Sequence, residues 1–123
     1  MTAVVSYLRP QERVWLDPTR IGVLYAELGG PKVQEVMDRA LQELAFSHRE
    51  LMRFYRIRDF DGFTRRLRAL ERVAGHLGLT LIARICSDVM QALACGDTTA
   101  TAATWARLSR SIDQVVLGDW IRL

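Results

Sequence analysis

Three arginines and a histidine recur at helical spacing in the middle of the chain, at Arg65, Arg68, Arg72 and His76. Steps of three and four residues bring side chains to the same side of an α-helix. A row of guanidinium groups can bind carboxylates or phosphates through charge-assisted hydrogen bonds. An imidazole nitrogen can act as a nucleophile. This stretch is therefore the first candidate for a functional surface.

The remaining residues that could carry chemistry fit structural roles. Asp59 and Asp61 stand at a predicted helix start, where capping and the helix dipole explain negative charge. Cys86 and Cys95 are separated by about 13 Å of helix, too far for a disulfide, and are predicted to be two buried free thiols. His48 lies at the edge of an apolar stripe, which is typical of a structural histidine.

The sequence has no phosphate-binding loop, no nucleophile elbow and no Cys/His cluster for zinc. It therefore predicts a protein that is not an enzyme and that uses neither a cofactor nor a metal.

Composition is that of a globular domain. The chain has 123 residues, 50% of them hydrophobic and 25% charged, and its net charge is +3. All 17 basic residues except Lys32 are arginines, which suits contact with phosphates or nucleic acid but also a simple surface preference. No run approaches the ~20 apolar residues of a membrane span, and the N-terminus lacks a signal-peptide core. We expect a cytoplasmic protein without a membrane partner.

Hydrophobic periodicity predicts five helices, at about 18–28, 31–57, 60–77, 79–95 and 98–117. The predicted N-terminal caps are Asp17, Asp59 and Thr98. Long helices joined by turns of a few residues must be antiparallel neighbours. We therefore expect an all-α, antiparallel up-down four-helix bundle with a short additional N-terminal helix. Residues 1–16 would form an N-terminal arm and 17–123 a single bundle domain.

Each predicted helix has apolar residues at helical spacing, and those of the third helix form the cleanest stripe. In the third helix it consists of Phe60, Phe63, Leu67, Leu70, Ala74 and Leu77, opposite the arginines. In the fifth helix it consists of Ala102, Trp105, Leu108, Ile112 and Val115.

The order of a short helix, a long helix and a helix with a charged stripe resembles the histidine phosphotransfer (HPt) domain over about 17–117. HPt domains pass a phosphoryl group between receiver domains in two-component phosphorelays, and their third helix carries H-x-L-K-G-x-x-x-x-L-G. The packing positions of that motif match Leu70, Ala74, Leu77 and Gly78. The resemblance implies an HPt-like four-helix bundle.

The chemical positions of the motif differ. Arg68 stands where the family has its phosphorylated histidine, Glu71 where it has a lysine, and Arg72 where it has a glycine. A guanidinium stays protonated and is no nucleophile. The resemblance thus implies a phosphorelay protein with a degenerate active site, an adaptor or modulator that docks on a response-regulator receiver domain or a histidine kinase. Its partner-binding residues would be Arg65, Arg68, Glu71, Arg72 and His76.

Three alternatives stay open. His76 could accept phosphate as a substitute, which would make the protein an active phosphotransfer protein. The arginine stripe could be an ordinary solvated face. Six arginines around the predicted turn between the second and third helices form what we call the basic end: Arg49, Arg53, Arg56, Arg58, Arg65 and Arg66. This basic end could bind nucleic acid or another polyanion, although no recognition motif is present. A homodimer through the arm or Trp120 has no supporting pattern.

Overall fold

The structure, a computed structural model, describes residues 18–117, which form five α-helices and no β-strand. The helices are α1 (Pro18–Leu28), α2 (Gly30–Ile57), α3 (Phe60–Leu77), α4 (Thr80–Ala94) and α5 (Thr98–Val116). The predicted all-helical class is confirmed for this part of the chain, with each helix end within one residue of its expected position. The predicted arm, the cap at Asp17 and the tail with Trp120 lie outside the described residues. None of the described helices combines the length and hydropathy required to cross a membrane.

Aspartate caps fix the starts of α3 and α5. The Asp59 carboxylate accepts a hydrogen bond from the Gly62 backbone N–H at 3.0 Å, which confirms it as the cap of α3. The cap of α5 is Asp97, which accepts from the Ala100 N–H at 2.9 Å. The prediction of Thr98 was wrong by one residue, because the carboxylate just before it already satisfies this first-turn donor.

A left-handed residue follows each of the helices α2, α3 and α4. Gly78 follows α3 with φ 76° and Gly96 follows α4 with φ 69°. Arg58 follows α2 with φ 62° and is the one non-glycine residue of positive φ in the described part of the chain. Glycine is the usual residue at this position because it has no Cβ to clash with the backbone.

Helices α2 to α5 share one hydrophobic core. Each packs on the next, α5 also packs on α2, and α1 packs on α2. The predicted stripe of α3 is confirmed: Phe63, Leu67 and Ala74 are completely buried, whereas Phe60 is partly buried. Burial of each large apolar side chain contributes about 1.5–3 kcal/mol.

Two predicted core residues lie at the surface. Cys95 is exposed, because α4 ends at Ala94 and the thiol belongs to the turn. Ala102 of α5 is exposed, while Trp105 is partly buried and Leu108 fully buried. At the N-terminal end of α5 the buried position is therefore Thr101 rather than the predicted Ala102. Of the two cysteines, only Cys86 is in the core.

An aromatic cluster connects α2, α3 and α5. Tyr55 stacks on Trp105 with ring centroids 5.8 Å apart, and Phe63 meets Trp105 edge-on at 5.3 Å. Phe60 completes the cluster, 6.0 Å from Tyr55. Such pairs add about 0.5–1.5 kcal/mol each beyond the area they bury. The cluster fixes the C-terminal end of α2 and the N-terminal end of α3 against α5.

Candidate functional site

Helix α3 presents the predicted arginine stripe to solvent. Arg65, Arg68 and Arg72 are exposed, and their spacing places them on the side of α3 opposite its buried stripe. We call these three residues the arginine face. The Asp59 cap and the left-handed Gly78 fix both ends of the helix, so the face lies on a rigid element.

The other two predicted site residues lie at the margins of this face. Glu71 is partly buried, and its negative charge interacts electrostatically with Cys86 of α4. Burial first, and then Glu71, raises the pKa of the Cys86 thiol to about 12. His76 is exposed in the last turn of α3. The structure therefore brings the three arginines together and turns Glu71 toward α4.

Positive charge is concentrated around the arginine face. The segment 43–72 contains eight arginines and five acidic residues, a net charge of +3 that equals that of the whole chain. Exposed guanidinium groups on a rigid helix can bind carboxylate or phosphate oxygens in bidentate fashion. They can also accelerate encounter with an acidic surface.

The predicted basic end is partly neutralised by contacts within the chain. Arg53 pairs with Glu50 at 3.3 Å and lies over the Phe54 ring at 4.8 Å. Arg66 pairs with Glu43 at 3.6 Å across the α2–α3 interface. These guanidinium groups have structural partners, so the basic end is weaker than the sequence indicated.

A second cluster, which sequence reasoning assigned to structure alone, surrounds His48 between α2 and α5. The His48 Nε2 atom lies 2.6 Å from the Ser109 Oγ, and Nδ1 lies 3.5 Å from Asp113 Oδ1. Trp105 meets the imidazole edge-on at 5.9 Å. The one sequence signal was the polar residues Ser109 and Asp113 at a spacing of four. Nothing in the sequence links them to His48, which precedes Ser109 by 61 positions.

The surroundings of His48 favour its neutral form. Burial lowers the pKa of His48 below its ordinary value, and the nearby Asp113 carboxylate offsets part of this. In the neutral tautomer with its proton on Nδ1, the ring directs that N–H toward Asp113 and accepts a hydrogen bond from the Ser109 hydroxyl at Nε2. The order Ser–His–Asp is that of a hydrolytic triad, but Ser109 lies within helix α5, whose backbone N–H groups bond to its own carbonyls. The contacts of His48 with Ser109 and Asp113 connect α2 to α5, and we interpret the cluster as a structural link between these two helices.

Among the described residues, no group of three or more His, Cys, Asp or Glu side chains is arranged to hold a metal ion. Comparison with known proteins found no matching family model, no similar curated protein and no similar solved structure.

Proposed function

We propose that this protein is an HPt-like phosphorelay adaptor that cannot itself be phosphorylated at the family's usual position. It would dock through the arginine face on a response-regulator receiver domain or a histidine kinase, and would block or modulate phosphoryl transfer there. Its helices would form the antiparallel up-down four-helix bundle of that family.

The observation that carries the proposal is the exposure of Arg68 between Arg65 and Arg72. In the HPt pattern the residue at this position enters the acidic phosphorylation pocket of the receiver. A guanidinium there can form salt bridges with the acidic residues and cannot accept a phosphoryl group. The helix order and the ring of contacts from α2 to α5 are compatible with the same pattern.

Binding of the adaptor would compete with binding of a phosphorylatable partner to the same receiver or kinase. An adaptor of this kind occupies the surface that a phosphorylatable partner needs, and its anchoring guanidinium neutralises the carboxylates that normally hold the reacting group. Binding would depend on salt, because the face is exposed and its charges are screened by ions.

The test measures the affinity of the chain for purified receiver domains and histidine kinases by calorimetry, with labelled phosphate followed in parallel. We expect Arg68→Ala to weaken binding about tenfold or more, as expected for loss of a charge-assisted contact at an interface. The matched control is Arg39→Ala, which removes an equal charge from an exposed α2 side chain that pairs with Glu35 at 3.8 Å. An equal loss of affinity in both variants would refute specific docking by Arg68.

Two alternatives give different results in the same assay. Acid-labile phosphate on the chain that disappears in His76→Gln would establish an active phosphotransfer protein. Binding to nucleic acid that falls steeply with salt, with no preference among receivers, would establish a polyanion-binding module. In either case the adaptor proposal would be wrong.

A further inference from the structure

Arg58 occupies a backbone position that the chain fills with glycine elsewhere. The turns after α3 and α4 contain Gly78 and Gly96 in the left-handed region, whereas the turn after α2 contains Arg58 at φ 62°. The turn itself is well formed, since the Arg58 N–H bonds to the Tyr55 carbonyl at 3.3 Å and the Asp59 N–H to the Phe54 carbonyl at 3.0 Å. A bulky residue at such a position carries strain, and strained residues concentrate at functional sites.

Arg58 lies at the edge of a cavity of about 230 Å³ between the α2–α3 turn and the α4–α5 turn. The lining is formed by Tyr55, Arg58, Phe60, Leu93, Gly96, Thr98 and Thr101. A cavity of roughly 150 Å³ is enough to hold a benzene ring. This cavity therefore has room for a small ring or branched chain with a polar substituent.

The lining combines an apolar wall with one cation. Tyr55, Phe60 and Leu93 supply the wall, and the Arg58 guanidinium lies 5.3 Å from the centre of the Tyr55 ring. Thr101 donates its hydroxyl proton to the Asp97 carbonyl at 2.8 Å, while Thr98 is exposed at the start of α5. A small apolar site with a few converging polar groups is the usual form of a ligand site.

We propose that this cavity binds a small organic carboxylate. Its aromatic or branched aliphatic body would lie against Tyr55, Phe60 and Leu93, and its carboxylate would pair with Arg58. The strain at Arg58 is then explained, because glycine would relieve it and remove the one cationic group of the cavity lining. This site lies at the end of the helices and is independent of the arginine face.

The test uses amide chemical shifts of Gly96, Thr98 and Thr101 during titration with phenylacetate. The titration extends to about 10 mM, because a ligand of about ten non-hydrogen atoms binds in the millimolar range. Three control compounds are titrated in the same way. Acetate has no apolar body, whereas 2-phenylethanol and benzylamine lack the negative charge. We expect saturable shifts with phenylacetate and at least tenfold weaker binding for these three compounds.

Two substitutions separate binding from folding. Arg58→Gly removes the charge and the strain, so we expect phenylacetate binding to weaken about tenfold or more while the melting temperature stays equal or rises by a few degrees. Arg58→Gln removes the charge but keeps the backbone position, so it should lose binding without that gain. Arg56→Gln is the matched control, since Arg56 is an exposed arginine in the last turn of α2. Absence of saturable shifts, unchanged affinity in Arg58→Gly, or equal affinity for benzylamine would each overturn the proposal.

Discussion

The close approach of α2 and α3 at Gly62 gives a prediction whose sign depends on the structure. A Cβ placed on Gly62 would lie 2.8 Å from Phe54 Cε1 and 2.8 Å from Asp59 Oδ2. Real Cβ atoms do not approach other atoms this closely, so either the Phe54 ring or the capping carboxylate must move. Gly75, on the same helix, has nothing within 4 Å of the corresponding position.

The two glycines should therefore respond oppositely to alanine. Alanine within a helix stabilises the folded protein by up to about 1 kcal/mol relative to glycine. Gly75→Ala should therefore raise the free energy of unfolding by up to that amount. For Gly62→Ala the gain in stability from helix propensity is smaller, because residue 62 is the third position of α3. Overpacking lowers the free energy of unfolding by about 1–3 kcal/mol. Displacement of the Asp59 cap would lower it by about 1 kcal/mol more. We expect a net destabilisation of about 1–3 kcal/mol for Gly62→Ala.

The measurement is urea unfolding of both variants and the native chain, followed by circular dichroism and compared at equal m-values. A free energy of unfolding for Gly62→Ala equal to or above that of Gly75→Ala would refute the close α2–α3 contact. A change in the m-value would indicate instead that the unfolded state had changed.

Two further predictions concern the buried His48 and the two cysteines. Because the pKa of His48 is lowered in the folded state, the unfolded chain binds more protons just below the ordinary value of about 6.5. The free energy of unfolding should therefore fall as pH decreases from 7.5 through about 6.5, and this slope should flatten in His48→Gln; an unchanged slope in urea titrations at several pH values would count against it. The exposed Cys95 should react readily with a thiol reagent in the native protein, whereas Cys86, buried and with its pKa raised to about 12, should react only on unfolding. Rapid reaction of two thiols per native chain, or persistence of the fast reaction in Cys95→Ser, would contradict the burial of Cys86.

The sequence predicted the helices well because their signals are local. The stripe of α3 repeats at steps of three and four, and Asp59 and Gly78 mark its ends, so the helix could be located from neighbouring residues alone. The exposure of Arg65, Arg68 and Arg72 follows from the same periodicity.

The sequence predicted contacts between distant residues poorly. The partners of His48 on α5 and the pairing of Arg66 with Glu43 depend on how helices pack, which periodicity does not specify. Cys95 was placed in the core because an apolar run continued to it, whereas the helix ends one residue earlier. The left-handed conformation of Arg58 gave no sequence signal, since arginine is seldom found at such a position.

The interface between α2 and α5 differs from the others in the order of the chain. Each of the other main helix interfaces joins helices separated by at most three residues, so these interfaces form at little cost in loop entropy. Contact between α2 and α5 instead closes a loop of about sixty residues, as the separation of 61 between His48 and Ser109 shows. Most of the entropy of chain closure is thus concentrated in this interface. The hydrogen bond and the aromatic contacts found there stabilise the complete bundle of α2 to α5. They do not stabilise a pair of consecutive helices formed earlier in folding.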